Sequence, residues 1–208
     1  HPTANFGSNA RENFTLLEEH LVQLGGGPLM CTEFWVGWFD AWGNAAHQTA
    51  DKEQNAAYLE ELLRRGSVNF YMFHGGTNFG FMNGANYYDA LTPDVTSYDY
   101  DAPLAEDGRI TEKYMAFRRV IENHAPLPPL VKDTIPRKAY GKVEVAEKVS
   151  LFATLHTLGP VGESAWPLPM EQLGQGYGYT LYSSHIQEGE HVEKLQLTQP
   201  DDRAAVFI

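Results

Sequence analysis

Residues 29–34 read Leu-Met-Cys-Thr-Glu-Phe, a short and mostly apolar run that follows Gly25-Gly26-Gly27-Pro28. Its length and its bounding Gly and Pro residues are typical of a strand that is buried on both faces. Residues 68–73, Val-Asn-Phe-Tyr-Met-Phe, show the same pattern. We therefore predict two buried strands, and strands of this kind belong to parallel sheets.

Three amphipathic segments alternate with the two predicted strands. Apolar residues that recur every three or four positions predict helices over residues 9–24 and 52–65. A hydrophobic staple of Ile110 and Met115 around the cap Thr111 predicts a third helix over residues 112–123. Asn9 with Glu12 resembles a capping box, and the other two helices begin after the capping residues Asp51 and Thr111. The order helix, strand, helix, strand, helix predicts an α/β fold with a parallel sheet, either open or closed into a barrel.

The pattern divides the chain into an α/β part and an all-β part. Two strands are too few for a stable parallel sheet, so we expect residues 1–125 to be the last part of a domain within a longer polypeptide. The proline-rich start of residues 126–140 predicts a stiff linker. Residues 141–208 are predicted to begin an all-β domain, because short alternating runs occur at Val143/Val145, Tyr177/Tyr179/Leu181, Leu195/Leu197 and Ala205/Phe207.

The composition excludes several classes of protein. Of the 208 residues, 43% are hydrophobic and 12% aromatic, which excludes a disordered or collagen-like chain. The net charge of −12 argues against nucleic acid and anionic membranes as partners and favours an uncharged one. No apolar run approaches the ~20 residues of a membrane span. The single cysteine, Cys31, has no disulfide partner within the chain, which favours a reducing, cytoplasmic compartment or indifference to redox state.

Glu33 is the first candidate for chemistry. In a regular strand it shares a face with Cys31, so its carboxylate faces either the interior of a barrel or the layer of helices. An acid at the C-terminal end of a barrel strand is typical of a catalytic residue, and a structural Glu paired with an unseen Arg is the alternative. Aromatic side chains beside a carboxylate suit a sugar site, although each alone also suits simple packing. The nearby aromatic residues are Trp35, Trp38, Phe39, Trp42, Tyr87, Tyr88, Tyr98 and Tyr100.

Other motifs carry weaker signals. The glycine-rich residues 75–80 lack the Lys-Ser/Thr of a P-loop and do not lead directly into a helix, which argues against a phosphate site. The histidines lack metal-ligand spacing, so no metal and no other cofactor is predicted; they include His74, His124, His156, His185 and His191. Cys31 is interpreted as a small core residue because no base is predicted near it.

Three long motifs carry a resemblance to a known family. They read Pro28-Leu29-Met30-Cys31-Thr32-Glu33-Phe34-Trp35-Val36-Gly37-Trp38-Phe39-Asp40, then Gly75-Gly76-Thr77-Asn78-Phe79-Gly80 with Asn83-Gly84-Ala85-Asn86, then Thr96-Ser97-Tyr98-Asp99-Tyr100-Asp101-Ala102-Pro103-Leu104. In this order they resemble the beta-galactosidases of glycoside hydrolase family 35. Residues 173–186 and 202–208 are similar to the family's jelly-roll region. The resemblance implies strands seven and eight of a (β/α)8 TIM barrel, followed by the beginning of a β-sandwich region.

The resemblance also implies a set of site residues. Glu33 matches the catalytic nucleophile, Tyr100 matches a tyrosine that hydrogen-bonds galactose, and Trp38 matches an aromatic wall of the pocket. The implied substrate is a β-galactoside. The implied reaction is retaining hydrolysis by double displacement, in which Glu33 attacks the anomeric carbon while a second carboxylic acid protonates the departing oxygen.

The sequence departs from the family in one respect. The family's acid/base glutamate lies in an Asn-Glu motif on an earlier strand, and no Asn-Glu dipeptide occurs in the 208 residues. We therefore expect the chain to need the missing N-terminal part of the barrel and to be inactive alone. A non-catalytic galactoside-binding module is the alternative function. The family has intracellular, secreted and lysosomal members, so the resemblance leaves the compartment open.

Overall fold

The computed structural model of the chain describes residues 1–131, 135–159, 162–189, 193–198 and 203–208. His191 and Asp202, which were singled out in the sequence, lie outside the described residues. The chain divides into two units, His1–Ile135 and Pro136–Ile208. The three motifs that carry the family resemblance all lie in the first unit.

A three-stranded parallel sheet organises the first unit. Its strands are β1 (Ala4–Phe6), β2 (Met30–Trp35) and β3 (Ser67–Tyr71), paired in the order β1-β2-β3. The α/β prediction with a parallel sheet is confirmed, and β2 and β3 lie close to the predicted strands. The sequence prediction missed β1, since three residues are too few for a periodic pattern. A hairpin of β4 (Ala85–Tyr87) and β5 (Leu91–Pro93) lies within the long segment after β3.

Three helices occupy the predicted segments, as α1 (Ala10–Gln23), α2 (Lys52–Leu63) and α3 (Glu112–Glu122). Two caps are confirmed: Asp51 Oδ1 accepts from the amide of Gln54 at 2.7 Å, and Thr111 Oγ1 accepts from that of Tyr114 at 3.2 Å. The capping box at Asn9 is wrong. Asn9 has φ 54° and makes no side-chain cap bond, because side-chain capping needs the extended backbone that Asp51 and Thr111 adopt.

The core of this unit lies between the sheet and the helices. The Phe34 ring lies 6.2 Å from that of Phe70 and 6.3 Å from that of Phe117. Full burial of a side chain of this size contributes about 1.5–3 kcal/mol to stability. This packing fixes β2, whose C-terminal end carries Glu33. The buried cluster includes Phe6, Phe14, Leu17, Leu21, Cys31, Phe34, Leu59, Leu62 and Phe117.

A bulge in β2 changes which side chains share a face. The pairing of β2 with β3 shifts register between Cys31 and Phe34, and both side chains are fully buried in the same cluster. In a regular strand, residues three apart lie on opposite faces. Glu33 is adjacent to Phe34 and therefore lies on the other face, where the indole Nε1 of Trp35 donates a hydrogen bond to its Oε2 at 3.3 Å. The prediction that Glu33 and Cys31 share a face is wrong because of this bulge.

The second unit differs from the all-β prediction. Its regular elements are two short 3-10 helices, Phe152–Thr157 and Met170–Leu173, and no strand occurs among its described residues. The structure therefore does not confirm the strands predicted from the alternating runs of residues 141–208. No described residue of 136–208 is buried, so the apolar side of an alternating run has nothing to pack against here. Across both units, none of the described helices is long and apolar enough to span a membrane.

Candidate active site

Glu33 lies near the carboxyl edge of the parallel sheet. Its Cα pairs with that of Asn5 in β1, and the chain leaves β2 two residues later, after Trp35. The carboxyl ends of parallel strands meet at one edge, so the segment after β2 and the segment after β3 both start beside Glu33. Its carboxylate is partly buried and accepts a hydrogen bond from Trp35 Nε1, a neutral donor. Among the residues that the structure describes, no cation pairs with it.

Five aromatic side chains form what we call the aromatic cluster: Tyr71 at the end of β3, and Trp38, Phe39, Tyr98 and Tyr100 from these two segments. The rings of Trp38 and Phe39 stack at 4.9 Å, those of Phe39 and Tyr98 at 5.7 Å, and those of Tyr98 and Tyr100 at 5.6 Å. Tyr71 meets Tyr100 edge-on at 5.5 Å, and the Tyr71 and Tyr98 hydroxyls lie 3.4 Å apart. The cluster joins both segments into one wall.

Tyr100 is the buried member of this cluster, with 1% of its surface exposed. Burial raises the pKa of its phenol, and the neighbouring Tyr71 and the charge of Glu33 raise that pKa further. The structure thus brings Tyr100 within electrostatic range of Glu33. Since the phenol stays protonated at neutral pH, it keeps a hydroxyl hydrogen to donate. Trp38 lies 6.2 Å from the Tyr100 ring and is 44% exposed, so part of its indole is open to a ligand.

Two glycines allow the segment that carries the tyrosines to approach the strand ends. A Cβ on Gly37 would lie 2.0 Å from the carbonyl oxygen of Tyr100, and one on Gly75 would lie 1.5 Å from that of Tyr98. Both distances are far below van der Waals contact, so only glycine fits at these positions. The Gly-Gly sequence after β3 is therefore explained by backbone packing. The amide of Tyr98 also donates to the carbonyl of Gly76 at 2.9 Å, so Gly76 forms a backbone hydrogen bond with the segment that carries the tyrosines.

A buried lysine connects this segment to the end of β2. Lys113 of α3 is 4% exposed, and its Nζ donates to the carbonyl oxygens of Val36 and Asp101, both at 2.7 Å, and to Asp101 Oδ2 at 2.5 Å. Asn55 of α2 donates to the same Val36 carbonyl at 2.7 Å. Burial lowers the pKa of Lys113, and the bond to Asp101 opposes that effect. The ammonium fixes the chain next to Tyr100.

His47 lies between two carboxylates. Its Nδ1 is 2.5 Å from Asp40 Oδ2, and its Nε2 is 3.3 Å from Asp99 Oδ1. The hydrogen bond to Asp40 raises the pKa of His47, with partial burial opposing this and the charges of Asp99 and Asp101 adding to it. Sequence reasoning missed both His47 and Lys113, because each meets partners that are distant in sequence and neither falls in a recognisable motif.

The other acids near the site have partners of their own. Glu106 accepts hydrogen bonds from the hydroxyls of Thr77 and Ser97. Glu112 pairs with Lys52, and Asp101 pairs with Lys113. His74 Nε2 lies 3.2 Å from the carbonyl of Glu106, a packing contact. Within the described ranges, no group of three His, Cys, Asp or Glu residues could hold a metal ion.

Two surface depressions lie away from Glu33. One, of about 570 Å³, lies between α1 and α2 and is lined by Arg11, Thr15, Glu61, Arg64 and Arg65. The other, of about 320 Å³, is lined by Ala50, Asp51, Lys52, Asp101, Thr111, Glu112 and Lys113. Neither includes Glu33 or Trp38, so neither is the candidate site. The candidate site is the open face formed by Glu33 and the aromatic cluster.

A carboxylate at the carboxyl edge of a parallel sheet, beside an aromatic wall, defines the chain as an α/β protein with a candidate site at that edge. Residues 1–124 match the family described as Glycosyl hydrolases family 35, and the chain belongs to this family. It is 42% identical over 97% of its length to Beta-galactosidase 8 of Oryza sativa subsp. japonica, and covers 31% of that protein. It is also 42% identical over 88% of its length to Beta-galactosidase of Homo sapiens, of which it covers 27%. The chain thus spans less than a third of the length of these relatives.

Proposed function

We propose that the chain contributes the nucleophile and one wall of the galactose site of a retaining beta-galactosidase. The observation that carries this proposal is that the Glu33 charge acts on the buried Tyr100, whose ring lies 6.2 Å from that of the partly exposed Trp38, in a chain that belongs to the family. The same proposal extends the observed α/β unit to the last strands of a (β/α)8 barrel, followed by the beginning of a β-sandwich region. The substrate class is β-galactosides.

The reaction assigned to Glu33 is a double displacement. A carboxylate oxygen of Glu33 bonds to the anomeric carbon as the bond to the departing oxygen breaks, and a carboxylic acid outside this chain gives that oxygen a proton. Water then attacks the same carbon, gives a proton to the second carboxylate, and releases Glu33 and galactose. Two inversions at one carbon retain the configuration of the sugar.

The surroundings of Glu33 support the nucleophile role. A nucleophilic carboxylate must be ionised and must have one oxygen free to attack. The Trp35 indole donates to Oε2 and orients the carboxylate without the strong charge pairing that a Lys or Arg would impose. Tyr100, kept protonated by burial, has a hydroxyl that can donate to a sugar oxygen. The half-exposed indole of Trp38 offers an apolar face to the C–H side of a pyranose.

We further propose that the 208-residue chain does not hydrolyse galactosides by itself. Retention requires a second carboxyl ~5–5.5 Å from the first, and this one must be protonated. Among the described acids near the site, Glu106, Glu112 and Asp101 are already bonded to hydroxyls or lysines. Incubation with nitrophenyl β-galactoside is expected to release no nitrophenol above the background. Turnover that disappears in Glu33→Gln would contradict this part of the proposal.

A titration with galactose, followed by NMR of the purified chain, tests the site itself. Tyr100→Phe removes one hydroxyl and keeps the packed ring, so it is expected to weaken binding about 3- to 10-fold, which corresponds to the ~0.5–1.5 kcal/mol of one hydrogen bond. Trp38→Ala is expected to weaken binding by a similar factor. Trp166→Ala is the matched control, because Trp166 is 78% exposed in the second unit.

The same titration distinguishes the proposed site from the alternative function. A non-catalytic galactoside-binding module built on residues 141–208 would lose affinity in Trp166→Ala or in other variants of the second unit, and would be unaffected by Tyr100→Phe and Trp38→Ala. That outcome would overturn the assignment of the sugar site to Glu33 and the aromatic cluster.

A further inference from the structure

Two segments that follow neighbouring strands meet at His47. We define the first segment as residues 36–51, after β2, and the second segment as residues 93–101, which carries Tyr98 and Tyr100. Backbone bonds join them at one end: Val95 donates to the carbonyl of Asp40 at 3.1 Å, and Trp42 donates to that of Pro93 at 2.7 Å. At the other end, the amide of Ala50 donates to Asp101 Oδ2 at 2.8 Å. His47 lies between these two ends.

The contacts of His47 depend on its protonation state. Nδ1 faces Asp40 of the first segment, and Nε2 faces Asp99 of the second, which directly precedes Tyr100. A neutral imidazole has one N–H and one bare nitrogen, so it can donate to only one of these carboxylates. The imidazolium carries a hydrogen on both nitrogens and can donate to both. Only the charged form of His47 therefore donates to a carboxylate of each segment at the same time.

We propose that protonated His47 is a positioning residue, which holds the second segment against the first so that Tyr100 faces Glu33, and that this arrangement loosens when the imidazole becomes neutral. This inference rests on the proposed function only for the role given to Tyr100. His47 touches neither Glu33 nor a substrate in this assignment; it acts through Asp99 and the backbone that follows it.

Three carboxylates around His47 favour its protonated form. Asp40 lies on its own segment, and Asp99 and Asp101 lie on the other; the charges of all three raise the pKa of His47. Asp101 is itself paired with Lys113 of α3. When His47 is neutral, Asp40 and Asp99 face each other without a positive charge between them, and their repulsion pushes the segments apart.

The sign of the pH dependence follows from this arrangement. The pKa of His47 in the folded chain is raised above its ordinary value of 6.5. The His47 bridge therefore stabilises the arrangement fully below pH 6.5. This stabilisation is lost as the pH rises through the higher pKa that His47 has in the folded chain. Almost half of the side chain is exposed, so the contribution is screened by solvent and salt. We expect the effect on the second segment to be larger at low ionic strength.

The test is an NMR pH titration of the histidine rings in the full 208-residue chain, without sugar. His47 is expected to titrate above 6.5, the ordinary value for histidine, and Asp99→Asn is expected to move its midpoint downward. Near-ultraviolet circular dichroism, which reports the packing of the aromatic cluster, is expected to change with the same midpoint. His47→Gln is expected to make that signal constant over this pH range, whereas the control His20→Gln, on α1, leaves the wild-type profile.

Two results would overturn the inference. One is a His47 midpoint at or below 6.5 that Asp99→Asn does not move. The other is a circular dichroism change that persists unaltered in His47→Gln. Asp99→Asn keeps the size of the side chain and removes its charge, so it tests the bridge even if the histidine variant is poorly folded. Because the titration uses no galactoside, a failure of the proposed function leaves its outcome unchanged.

Discussion

The ammonium of Lys113 lies 2.5 Å from Oδ2 of Asp101 and is almost fully enclosed by protein. Asp101 and its neighbour Tyr100 both have positive φ, 50° and 62°, a conformation that is costly for residues other than glycine. Lys113 also bonds the carbonyl oxygens of Asp101 and Val36. One buried cation thus holds the strained backbone beside the candidate site against the end of β2.

Replacing Lys113 by Met is expected to destabilise the chain strongly. The variant keeps most of the apolar stem and removes the charge, which leaves the Val36 and Asp101 oxygens without their donor. Loss of one partner of a buried pair costs about 3 kcal/mol. Urea denaturation followed by tryptophan fluorescence measures the change. Lys52→Met is the control, since the Lys52 pair with Glu112 is exposed, and a comparable shift in both variants would contradict the argument.

Alanine at Gly37 or Gly75 is expected to disturb the second segment and to lower stability. The added Cβ would meet the carbonyl oxygen of Tyr100 or Tyr98 at 2.0 Å or 1.5 Å, and backbone atoms move less readily than side chains. Overpacking of this kind typically costs about 1–3 kcal/mol. Thermal denaturation together with the near-ultraviolet signal of the aromatic cluster measures both effects.

Gly176→Ala is the matched control for these glycine variants. A Cβ at Gly176 meets no atom within 4 Å, and its backbone does not have a positive φ. The control is expected to leave the melting temperature and the aromatic signal unchanged. Wild-type behaviour of Gly37→Ala would show that the close approach to Tyr100 is not a constraint on this site.

The sequence predicts the parts of this fold that depend on local pattern. Apolar periodicity located α1 and α2, a cap with a hydrophobic staple located α3, and two apolar runs located β2 and β3. The shift of register between Cys31 and Phe34 has no such signal, since it arises from pairing with a distant strand. The alternating runs after residue 141 do not form strands among the described residues, because alternation becomes a strand only when a partner strand and a covering layer are present.

The candidate site also contains residues that the sequence predicts and residues that it does not. Glu33, Trp38 and Tyr100 stand in sequence motifs, and parallel strands bring the segments that follow them to one edge, so their proximity could be expected. Their roles in catalysis and binding remain predictions. Lys113 and His47 could not be found from the sequence, because their importance lies in contacts 12 and 52 residues away, with Asp101 and Asp99, that only the folded chain makes.

Asp94→Asn is expected to stabilise the chain at neutral pH. Oδ1 of Asp94 is buried and has no hydrogen-bond partner in the part of the chain that the structure describes, and burial raises the pKa of this carboxyl. The unfolded carboxyl is ionised above its ordinary value of 3.8, whereas the folded one resists ionisation. The chain therefore loses stability as the pH rises from 3.8 through the higher pKa that Asp94 has in the folded chain. The uncharged side-chain amide of the Asp94→Asn variant avoids this loss.

Thermal denaturation of wild type and Asp94→Asn at neutral pH and near pH 3.8 measures this difference. The melting temperature of the variant is expected to exceed that of wild type at neutral pH, and the gap is expected to shrink in acid. Asp89→Asn is a suitable control, because Asp89 is an exposed carboxylate in the turn between β4 and β5. A gap that is equal at both pH values would contradict an ionisation effect.

Cys31 is expected to be protected from thiol reagents in the folded chain. Its side chain is fully buried in the core, with Sγ 3.7 Å from the carbonyl oxygen of Phe6, and burial raises the pKa of the thiol above 9.0. Both effects lower the fraction of molecules with an accessible thiolate, which is the reactive form of cysteine. Reaction then requires opening of β2, and a stability of at least ~5 kcal/mol makes such opening rarer than about one molecule in 1,000. Release of thionitrobenzoate from a disulfide reagent should therefore be about 1,000-fold slower in buffer than in guanidinium chloride. Cys31→Ser serves as the blank. Equal rates in the two solutions would show that β2 is open in the isolated chain.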